Sequence, residues 1–398
     1  MSRRYRLAVV SSHPIPYRVP LYQKLAKQQE IDLKVIYCCD FGVHRKQRDP
    51  EFGVEYVWDV PLLEGYTYKF LRNISPKPSA ITFFGRINPG IITELLCNRY
   101  DAVLVEGYGI MTNVLAWMCA FLNKTKIFYH GDSNPRNVRS LWKTKLKSIV
   151  LPLLFKRISA FLAVGTLNAE YYGQYGVPVE RIFLTPYAVN NDFFSRYYHE
   201  LRGKKRELKK KLGVPVKSLV IVYAGKLIPR KRVADLLEAY EKIQGVNASL
   251  VVVGDGLEKP HLEAYARDHS LKNVFFTGFK NQTQIPEIYS IADVFVLPST
   301  NEPWGLVIND AMNFGLPIIT TANVGAVPDL VEDGVNGLIY PVGDIGKLAD
   351  HLLKLLKDPP LREEMGERSL DKISRWSYRE DVAAILTAIR YARNKGLD

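Results

Sequence analysis

Short runs of apolar, β-branched residues alternate with longer amphipathic segments along this chain of 398 residues. In the first half the predicted strands are Leu7–Ser11, Leu33–Tyr37, Ala102–Val105, Lys126–Tyr129 and Ala160–Val164. In the second half they are Leu219–Tyr223, Ser249–Val253, Val274–Thr277, Val294–Leu297 and Pro317–Thr320. Helical patterns such as Val233–Ile243 and Ile345–Leu356 fall between them. This alternation predicts an α/β fold of parallel sheets flanked by helices, in a chain long enough for two or three domains.

Two carboxylates, Glu302 and Asp310, stand close together across a Pro-Trp-Gly turn in the second half. Glu302 would lie on the loop at the carboxyl end of a strand, and Asp310 one to two turns inside the next helix. Both side chains can therefore face one crevice. The helix amino terminus between them offers free N–H groups that suit a phosphate. The segment predicts a binding site for a sugar with a phosphate tail.

The same segment resembles the Glu-(seven residues)-Glu motif of retaining GT-B glycosyltransferases of family four, the glycosyl transferases group 1. The motif usually reads Glu-Pro-Phe-Gly-Leu followed by Glu-Ala, whereas this chain has Trp304 for Phe and Asp310 for the second Glu. The resemblance implies two Rossmann-like domains facing a central cleft. It also implies that Glu302 contacts donor-sugar hydroxyls and that Asp310 contacts the ribose of the nucleotide. Asp is one methylene shorter than Glu, so the ribose contact could be direct, water-mediated or weakened.

A basic turn, Ala224–Arg232, follows a predicted strand of the second half. Lys226 occupies the position of the family's Arg, Lys231 matches its Lys, and Arg232 stands where Gly is common. Lysines at a strand-to-helix turn can neutralise a diphosphate as point charges, and the alternative is a solvated basic turn. Phe279 begins a loop that, by resemblance, frames the nucleobase, and its ring either stacks on the base or packs within the loop.

Four residues of the first half follow strand ends and are candidates for the acceptor side. Tyr17 and Arg18 either contact a phosphorylated acceptor or belong to a structural turn with its two prolines. His130 lies where family members often carry a histidine close to the donor sugar, and otherwise it is a packed or hydrogen-bonded residue. Asp132 would orient His130 or bind an acceptor hydroxyl.

The predicted domains are residues 1–198, for the acceptor, and residues 199–375, for the nucleotide-sugar donor. The C-terminal helix, residues 376–398, is expected to pack back on the first domain. The charged stretch Tyr197–Leu212 between the halves has almost no core residues and predicts a solvated helix that ends at Gly213.

A net charge of +13 calls for an acidic partner, such as nucleic acid, an anionic membrane or a phosphorylated substrate. Basic residues of Arg139–Lys147 precede the apolar run Ile149–Phe155, which predicts either docking to an anionic bilayer or an ordinary surface helix. No apolar run reaches the length of a membrane span. Cys38, Cys39, Cys97 and Cys119 have no metal-ligand spacing and predict reduced core thiols. We expect a soluble, cytoplasmic protein, with peripheral contact at the inner face of a membrane as one option.

These features together predict transfer of a hexose from a nucleotide-diphosphate sugar to a glycan or lipid-linked acceptor hydroxyl, in polysaccharide or glycolipid assembly. The resemblance implies retention of anomeric configuration by front-face attack. Lys226, Lys231 and the amides of Gly305 and Leu306 would then stabilise the departing diphosphate. No Asp-x-Asp pair with a clear metal role is present, so neither a metal ion nor a cofactor is expected.

Two alternatives to this transferase remain open. A nucleotide-sugar epimerase on the same fold would bind a similar donor, but it would need an acid and a base in the cleft and no acceptor. A non-enzymatic basic protein could instead bind nucleic acid, although the basic residues are scattered and no recognisable nucleic-acid module is present.

Overall fold

The structure is a computed structural model that describes residues 3–44, 46–48, 53–79, 82–136 and 141–394. Within these residues the strands are β1 (Tyr5–Ser11), β2 (Ile31–Tyr37), β3 (Gln47–Arg48), β4 (Glu55–Tyr56), β5 (Thr67–Phe70), β6 (Ala102–Glu106), β7 (Lys126–Gly131), β8 (Ala160–Ala163), β9 (Ile182–Leu184), β10 (Leu219–Ala224), β11 (Ala248–Val253), β12 (Val274–Gly278), β13 (Val294–Leu297), β14 (Ile318–Thr321) and β15 (Gly337–Tyr340). The helices are α1 (Val19–Ala26), α2 (Gly90–Cys97), α3 (Met111–Leu122), α4 (Leu141–Phe155), α5 (Thr166–Gln174), α6 (Asn191–Leu201), α7 (Lys205–Lys211), α8 (Val233–Lys242), α9 (Lys259–Asp268), α10 (Ile285–Ile291), α11 (Leu306–Met312), α12 (Val327–Leu330), α13 (Ile345–Lys357), α14 (Pro359–Ser374) and α15 (Tyr378–Asn394). Strands and helices alternate as the sequence predicts for an α/β protein.

The chain divides into two compact units, neither of which is continuous in sequence. The first unit comprises Met1–Lys46, Pro61–Tyr187 and Tyr378–Asp398, and the second comprises Gln47–Val60 and Ala188–Ser377. The predicted boundary after residue 198 therefore falls inside α6, and the change of unit comes before this helix. The physical reason is that Phe194 of α6 is buried against Phe314, so the helix packs as part of the second unit.

The first unit is built on a parallel sheet of seven strands in the order β5-β2-β1-β6-β7-β8-β9. Its central strands are buried on both faces, which explains why their sequences are continuous apolar runs rather than alternating ones. After β1 the chain adds β2 and β5 on one side of this strand, and it then crosses over to form β6 on the other side. Ligands of open α/β sheets bind outside the carboxyl ends of the strands at such a reversal.

The second unit repeats this plan with six parallel strands in the order β12-β11-β10-β13-β14-β15. Here the reversal lies between β10 and β13, which pair through Ile221 and Val294. The turn that follows β10 carries the predicted lysines, and the loop that follows β13 carries Glu302. The fold thus brings the predicted donor-binding residues to one edge of one sheet.

A short antiparallel hairpin, β3 and β4, comes from the first half of the sequence but belongs to the second unit. Asn281 Nδ2 donates to the carbonyl of Val57 at 2.7 Å, and the backbone N–H of Thr283 donates to the carboxylate of Asp59 at 3.1 Å. The sequence predicts this segment as part of the first domain because it lies in the first half of the chain. Its two strands are too short and too polar to give a strand signal of their own.

Three further expectations need correction. The charged stretch 197–212 is not one solvated helix: α6 and α7 are separated at Gly203, and the side chain of Lys209 is buried where it donates to the carbonyl of Ser218 at 2.6 Å. Of the predicted core thiols, Cys97 is exposed. The sequence does not predict five of the observed strands, because all of them are short and most are partly exposed: β3, β4, β5, β9 and β15.

Helix α15, the last described helix, packs against α1, β8 and β9 of the first unit. Its first residue, Tyr378, donates its hydroxyl to the carbonyl of Tyr17 at 2.8 Å. Within the described part of the chain, no helix is both long enough and apolar enough to cross a membrane.

Candidate functional site

Lys231 and Glu302 form a buried ion pair at the strand reversal of the second unit. Lys231 ends the 3-10 turn Pro229–Lys231 after β10, and Glu302 makes a single parallel bridge with Val324 after β13. Their side chains are 8% and 13% exposed, and Lys231 Nζ contacts Glu302 Oε2. Arg230 Nη1 lies 3.3 Å from the same oxygen. Two cations therefore share one oxygen of the predicted sugar-binding carboxylate.

Two further cations, Arg230 and Lys226, act electrostatically on Lys231 of this pair. Burial lowers the pKa of Lys231, the Glu302 carboxylate opposes that shift, and the charges of Arg230 and Lys226 add to the lowering. Lys226 is half-buried, and its carbonyl accepts the hydroxyl of Tyr223 at 2.8 Å. Lys231, Arg230 and Lys226 thus bring several cationic groups to the Glu302 loop, and such groups suit the binding of a phosphate.

The loop that carries Glu302 is fixed by two close backbone approaches. The backbone N–H of Gly325 donates to the carbonyl of Glu302 at 2.9 Å, and a Cβ on Gly325 would come within 1.9 Å of the Pro303 carbonyl oxygen. Gly305 has a φ of +101°, which is unfavourable for other residues. A Cβ there would lie 3.0 Å from Val324 and 3.4 Å from the Cγ of Glu302. Gly305 and Gly325 therefore allow the close backbone contacts that hold Glu302 at the sheet edge. Helix α11 begins directly after the loop, at Leu306.

Trp304, the residue that departs from the usual Phe, is buried in this loop. Its Nε1 donates to Asn309 Oδ1 at 3.0 Å, and its ring packs on Trp376. Asn309 is itself fully buried, and the indole N–H gives its amide oxygen a donor that a phenyl ring lacks. Trp376 lies seventy-two residues further along the chain, so no local sequence pattern connects it with this loop.

Asp310 lies on α11 and is half-buried. Within the described residues its carboxylate has no hydrogen-bond partner, and burial raises its pKa to about 8. Burial, and then the charge of Asp310, raises the pKa of the nearby Tyr289 well above its usual value. An unsatisfied carboxyl group at the helix that follows Glu302 is chemically able to take hydroxyl partners from a ligand.

Phe279 follows β12 and packs against the hairpin. Its ring stacks on Tyr56, with centroids 5.1 Å apart and planes 27° from parallel. Trp58 approaches the same ring, with centroids 6.4 Å apart. Phe279 therefore packs on aromatic residues from a distant part of the chain, and its stacking on a nucleobase stays a prediction.

A second group of predicted residues meets at the strand reversal of the first unit. Arg18, before α1, is buried, and its Nε lies 3.3 Å from Glu106 Oε1 at the end of β6. Arg18 Nη2 lies 2.6 Å from Nδ1 and 2.8 Å from Nε2 of His130. The guanidinium also lies over the ring of Tyr187, 5.6 Å from its centroid. Arg18 thus joins His130 to Glu106 inside the unit.

The electrostatics of this group keep His130 neutral. Burial, and then the charge of Arg18, lowers the pKa of His130 well below its usual value. A neutral imidazole has one nitrogen that can accept a hydrogen bond from the guanidinium. Glu106 also accepts the hydroxyls of Ser11 at 2.8 Å and Tyr22 at 2.9 Å. The sequence analysis did not select Glu106, although its place at a strand end beside His130 was a usable signal.

The remaining acceptor-side candidates lie at different depths. Tyr17 is half-buried, and its hydroxyl accepts that of Tyr187 at 3.4 Å. Asp132 is exposed. Of the basic stretch predicted to dock on a membrane, Arg139 and Ser140 lie outside the described residues. The structure therefore brings Tyr17, Arg18 and His130 together and places Asp132 on the surface.

Within the described residues, no group of three or more His, Cys, Asp or Glu side chains is placed to hold a metal ion. Metal independence stays a prediction.

The sequence is similar to a known family model and to several curated proteins. Residues 204–372 match the sequence model of the family described as Glycosyl transferases group 1. N-acetyl-alpha-D-glucosaminyl L-malate synthase from Bacillus anthracis is 32% identical over 187 residues, which are 46% of this chain and 48% of that protein. Alpha-D-kanosaminyltransferase from Streptomyces kanamyceticus is 31% identical over 196 residues, 48% of this chain and 50% of that protein. The chain spans about half the length of these curated relatives.

Solved structures resemble the chain over nearly its whole length. The crystal structure of HepE from Anabaena with UDP and glucose has a TM-score of 0.73 at 18% identity and covers 97% of this chain and 100% of its own. WaaG, a glycosyltransferase involved in lipopolysaccharide biosynthesis, has a TM-score of 0.63 at 18% identity, covering 98% of this chain and 100% of its own. These similarities confirm the predicted fold class.

Proposed function

We propose that this chain, whose residues 204–372 match the sequence model of the glycosyl transferases group 1, moves a hexose from a nucleoside diphosphate sugar to an acceptor hydroxyl, with retention of configuration. The observation that carries this proposal is the buried Lys231–Glu302 pair with Arg230 on the same oxygen. On this proposal Lys231 and Arg230 bind the diphosphate and Glu302 binds the sugar, at one point of the sheet edge.

Donor binding would exchange the partners of this pair. The diphosphate carries more negative charge than Glu302, so Lys231, Arg230 and Lys226 would turn to its oxygens. Glu302 would then be free to accept hydrogen bonds from the hydroxyls of the sugar. The amides of Gly305 and Leu306, at the start of α11, would add donors to the phosphate. One arrangement thus supports both ends of the donor.

The ribose and the base of the nucleotide would be held by the neighbouring loops. Asp310 has an unsatisfied carboxyl group that ribose hydroxyls would satisfy. The loop of Phe279 would frame the base, with Tyr56 and Trp58 supporting the Phe279 ring from behind. The structures of HepE hold UDP, which makes a UDP-sugar the first donor to test.

In the proposed step the acceptor oxygen forms a bond to the anomeric carbon, and the bond from that carbon to the diphosphate oxygen breaks. The bonding electrons pass to the diphosphate, and the proton of the acceptor hydroxyl passes to a phosphate oxygen on the same face. Lysine and arginine charges stabilise the leaving group, so the step uses neither a metal ion nor a protein nucleophile. His130, neutral and held by Arg18, would hydrogen-bond the sugar, and Tyr17, Arg18 and Asp132 would face the acceptor.

A lipid-linked acceptor is supported by the surface of α4. Leu146, Ile149 and Leu153 are exposed on this helix at 54%, 60% and 63%. The exposed Lys145, Lys156 and Arg157 lie on or directly after it. Apolar side chains beside cations suit the interface of an anionic bilayer. We therefore extend the proposal to a peripheral position at the inner face of a membrane, with a glycan or a glycolipid as product.

Donor hydrolysis tests the reaction class. The full chain is incubated in EDTA with UDP-, GDP- and ADP-sugars, and release of the nucleoside diphosphate is followed. Slow release from one donor, together with a rise in melting temperature on adding its nucleoside diphosphate, is the expected result. No release and no thermal shift with any nucleotide would refute donor binding, and release that requires added Mg²⁺ would refute metal independence.

Vesicle flotation tests the membrane proposal separately. The chain should float with vesicles of anionic lipid and remain at the bottom with purely zwitterionic vesicles. Ile149→Asp combined with Leu153→Asp should abolish flotation while leaving donor hydrolysis unchanged. Flotation that survives this double substitution would place the contact elsewhere.

A further inference from the structure

Arg86, in the first unit, is a fully buried cation whose guanidinium has no hydrogen-bond partner among the described residues. It is 1% exposed, directly after the short 3-10 turn Phe83–Gly85. Within the residues that the structure describes, Nε, Nη1 and Nη2 of Arg86 receive no hydrogen-bond acceptor. An arginine side chain does not lose its proton in a protein, so this charge cannot be removed by titration. A buried unpaired charge of this kind is expensive and calls for an explanation.

The contacts of Arg86 fix its position but do not compensate the cost of burying its charge. The backbone carbonyl of Arg86 accepts the hydroxyl of Thr112 at 3.1 Å, which fixes the main chain. The guanidinium lies over the ring of Phe41, 5.7 Å from its centroid. A single contact with a phenyl ring compensates only a small part of the cost of desolvating a guanidinium.

Phe41, whose ring the Arg86 guanidinium approaches, also lines an open cavity of about 390 Å³. Its walls include Cys38, Cys39 and Phe41, which follow β2, together with Leu71 and Arg72, which follow β5. The cavity therefore lies at the carboxyl edge of a parallel sheet, where α/β folds bind ligands. Burial raises the pKa of the Cys38 thiol to about 12, and the charge of Arg86 opposes that rise, so the guanidinium acts on the cavity wall.

Phe41 connects the buried charge with the cavity. Its ring centroid lies 5.7 Å from the guanidinium carbon, and the residue is part of the cavity lining. Phe41 is half-buried, and a ligand that enters from the cavity would have to displace its ring to reach Arg86. The other ionisable groups in the lining are Arg72 and His44, which are exposed, and Asp40, which is half-buried. The two arginines outweigh the single acid, so the field in the cavity favours a negative ligand.

We propose that this cavity binds a small molecule through an anionic group, a phosphate or a carboxylate, which pairs with Arg86. The planar guanidinium offers two parallel N–H donors to either group. Such a ligand would satisfy the buried donors that the protein leaves open. The inference is independent of the proposed donor site, because every residue that it uses lies in the first unit while Lys231 and Glu302 lie in the second.

Alkylation of the cysteines gives a local test with an internal control. Cys39 lines the cavity and is half-buried, whereas Cys97 is exposed on α2, away from the lining. The full chain is treated with iodoacetamide at constant ionic strength in sodium chloride, alone or with inorganic phosphate or malonate, and both peptides are quantified by mass spectrometry. Phosphate or malonate should slow the reaction of Cys39 by about tenfold at ten times Kd and leave Cys97 unchanged. Equal rates at Cys39 with and without both anions would overturn the proposal, and protection by only one of them would identify the anionic group.

Substitution of Arg86 assigns the effect to this side chain. Arg86→Met should abolish the protection of Cys39, while Arg99→Gln, an exposed arginine of the same unit, should keep it. In chloride alone Arg86→Met should melt at or above the wild-type temperature, because an apolar side chain replaces an uncompensated charge. Protection that persists in Arg86→Met, or a melting temperature below that of the wild type, would show that the guanidinium has a structural role instead. Since all four cysteines lie in the first unit, a failed donor site would not change these readouts.

Discussion

Trp304 stacks on Trp376, with ring centroids 5.4 Å apart and ring planes 12° from parallel. Trp304 lies two residues after Glu302, and Trp376 lies at the end of the second unit, just before the chain returns to the first. The loop that positions the candidate sugar-binding carboxylate is therefore supported by the C-terminal segment. This contact gives a physical reason for the Trp that replaces the usual Phe.

Trp304→Phe should lower the free energy of unfolding by about 1 to 2 kcal/mol, because it removes the hydrogen bond to the buried Asn309 and part of the stacking surface. Urea unfolding of Trp304→Phe, Trp376→Leu and the double variant measures the coupling. We expect a coupling energy of about 1 kcal/mol, and strictly additive effects would contradict a direct interaction between the two rings.

Glu302→Gln should lower kcat for transfer by at least about a hundredfold, since the amide keeps the shape of the side chain but loses the charge that accepts sugar hydroxyls. Glu263→Gln, at an exposed position of the same unit, is the matched control. Circular dichroism should be the same for both variants. Near-normal turnover in Glu302→Gln would show that Glu302 does not have the proposed role in sugar binding.

Gly305→Ala should damage activity more than stability. The new Cβ would crowd Val324 and the Cγ of Glu302 at a φ of +101°, so the loop must move and carry the carboxylate with it. We expect a loss of about tenfold or more in kcat/KM and a cost of about 1 to 2 kcal/mol in unfolding free energy. Gly245→Ala, where an added Cβ would meet no atom within 4 Å, serves as the control. An active Gly305→Ala enzyme would show that the loop tolerates displacement.

Asp310 makes stability depend on pH. Its pKa rises from an ordinary 3.8 to about 8 in the folded chain, so the folded state holds the proton more tightly than the unfolded state. Asp310 therefore contributes most to the free energy of unfolding at a pH below the pKa of the unfolded state. This contribution falls as the pH rises from about 4 to 8 and is constant above that range.

Asp310→Asn should remove this dependence because the amide has no proton to lose. Its melting temperature should exceed that of the wild type at pH 8, and the difference should shrink towards about pH 4. Differential scanning fluorimetry across this range checks the prediction, with Asp350→Asn, at an exposed position, as the control. A difference that stays constant with pH would contradict the raised pKa.

The parallel sheets and the residues around Glu302 could be predicted from the sequence, and other features could not. The buried strands are continuous apolar runs, and a strand-to-helix turn brings its own residues to the sheet edge, so local patterns sufficed there. Phe279 with Tyr56, and Arg18 with Glu106, are contacts between segments far apart in the chain, and no periodicity encodes them. Arg232 has the αL conformation, with a φ of 50°. The only indication of this in the sequence is that the family that the motif resembles commonly has Gly at this position.

The assignment of Gln47–Val60 to the second unit has a consequence for recombination. A chimera that joins the first half of one transferase to the second half of another at Tyr187 and Ala188 would carry the hairpin of the wrong parent. Tyr56 would then meet a foreign residue in place of Phe279, and Asn281 and Thr283 would lose their matched partners. Exchange of the complete second unit therefore needs both Gln47–Val60 and Ala188–Ser377, because a single crossover would separate the hairpin from its partners.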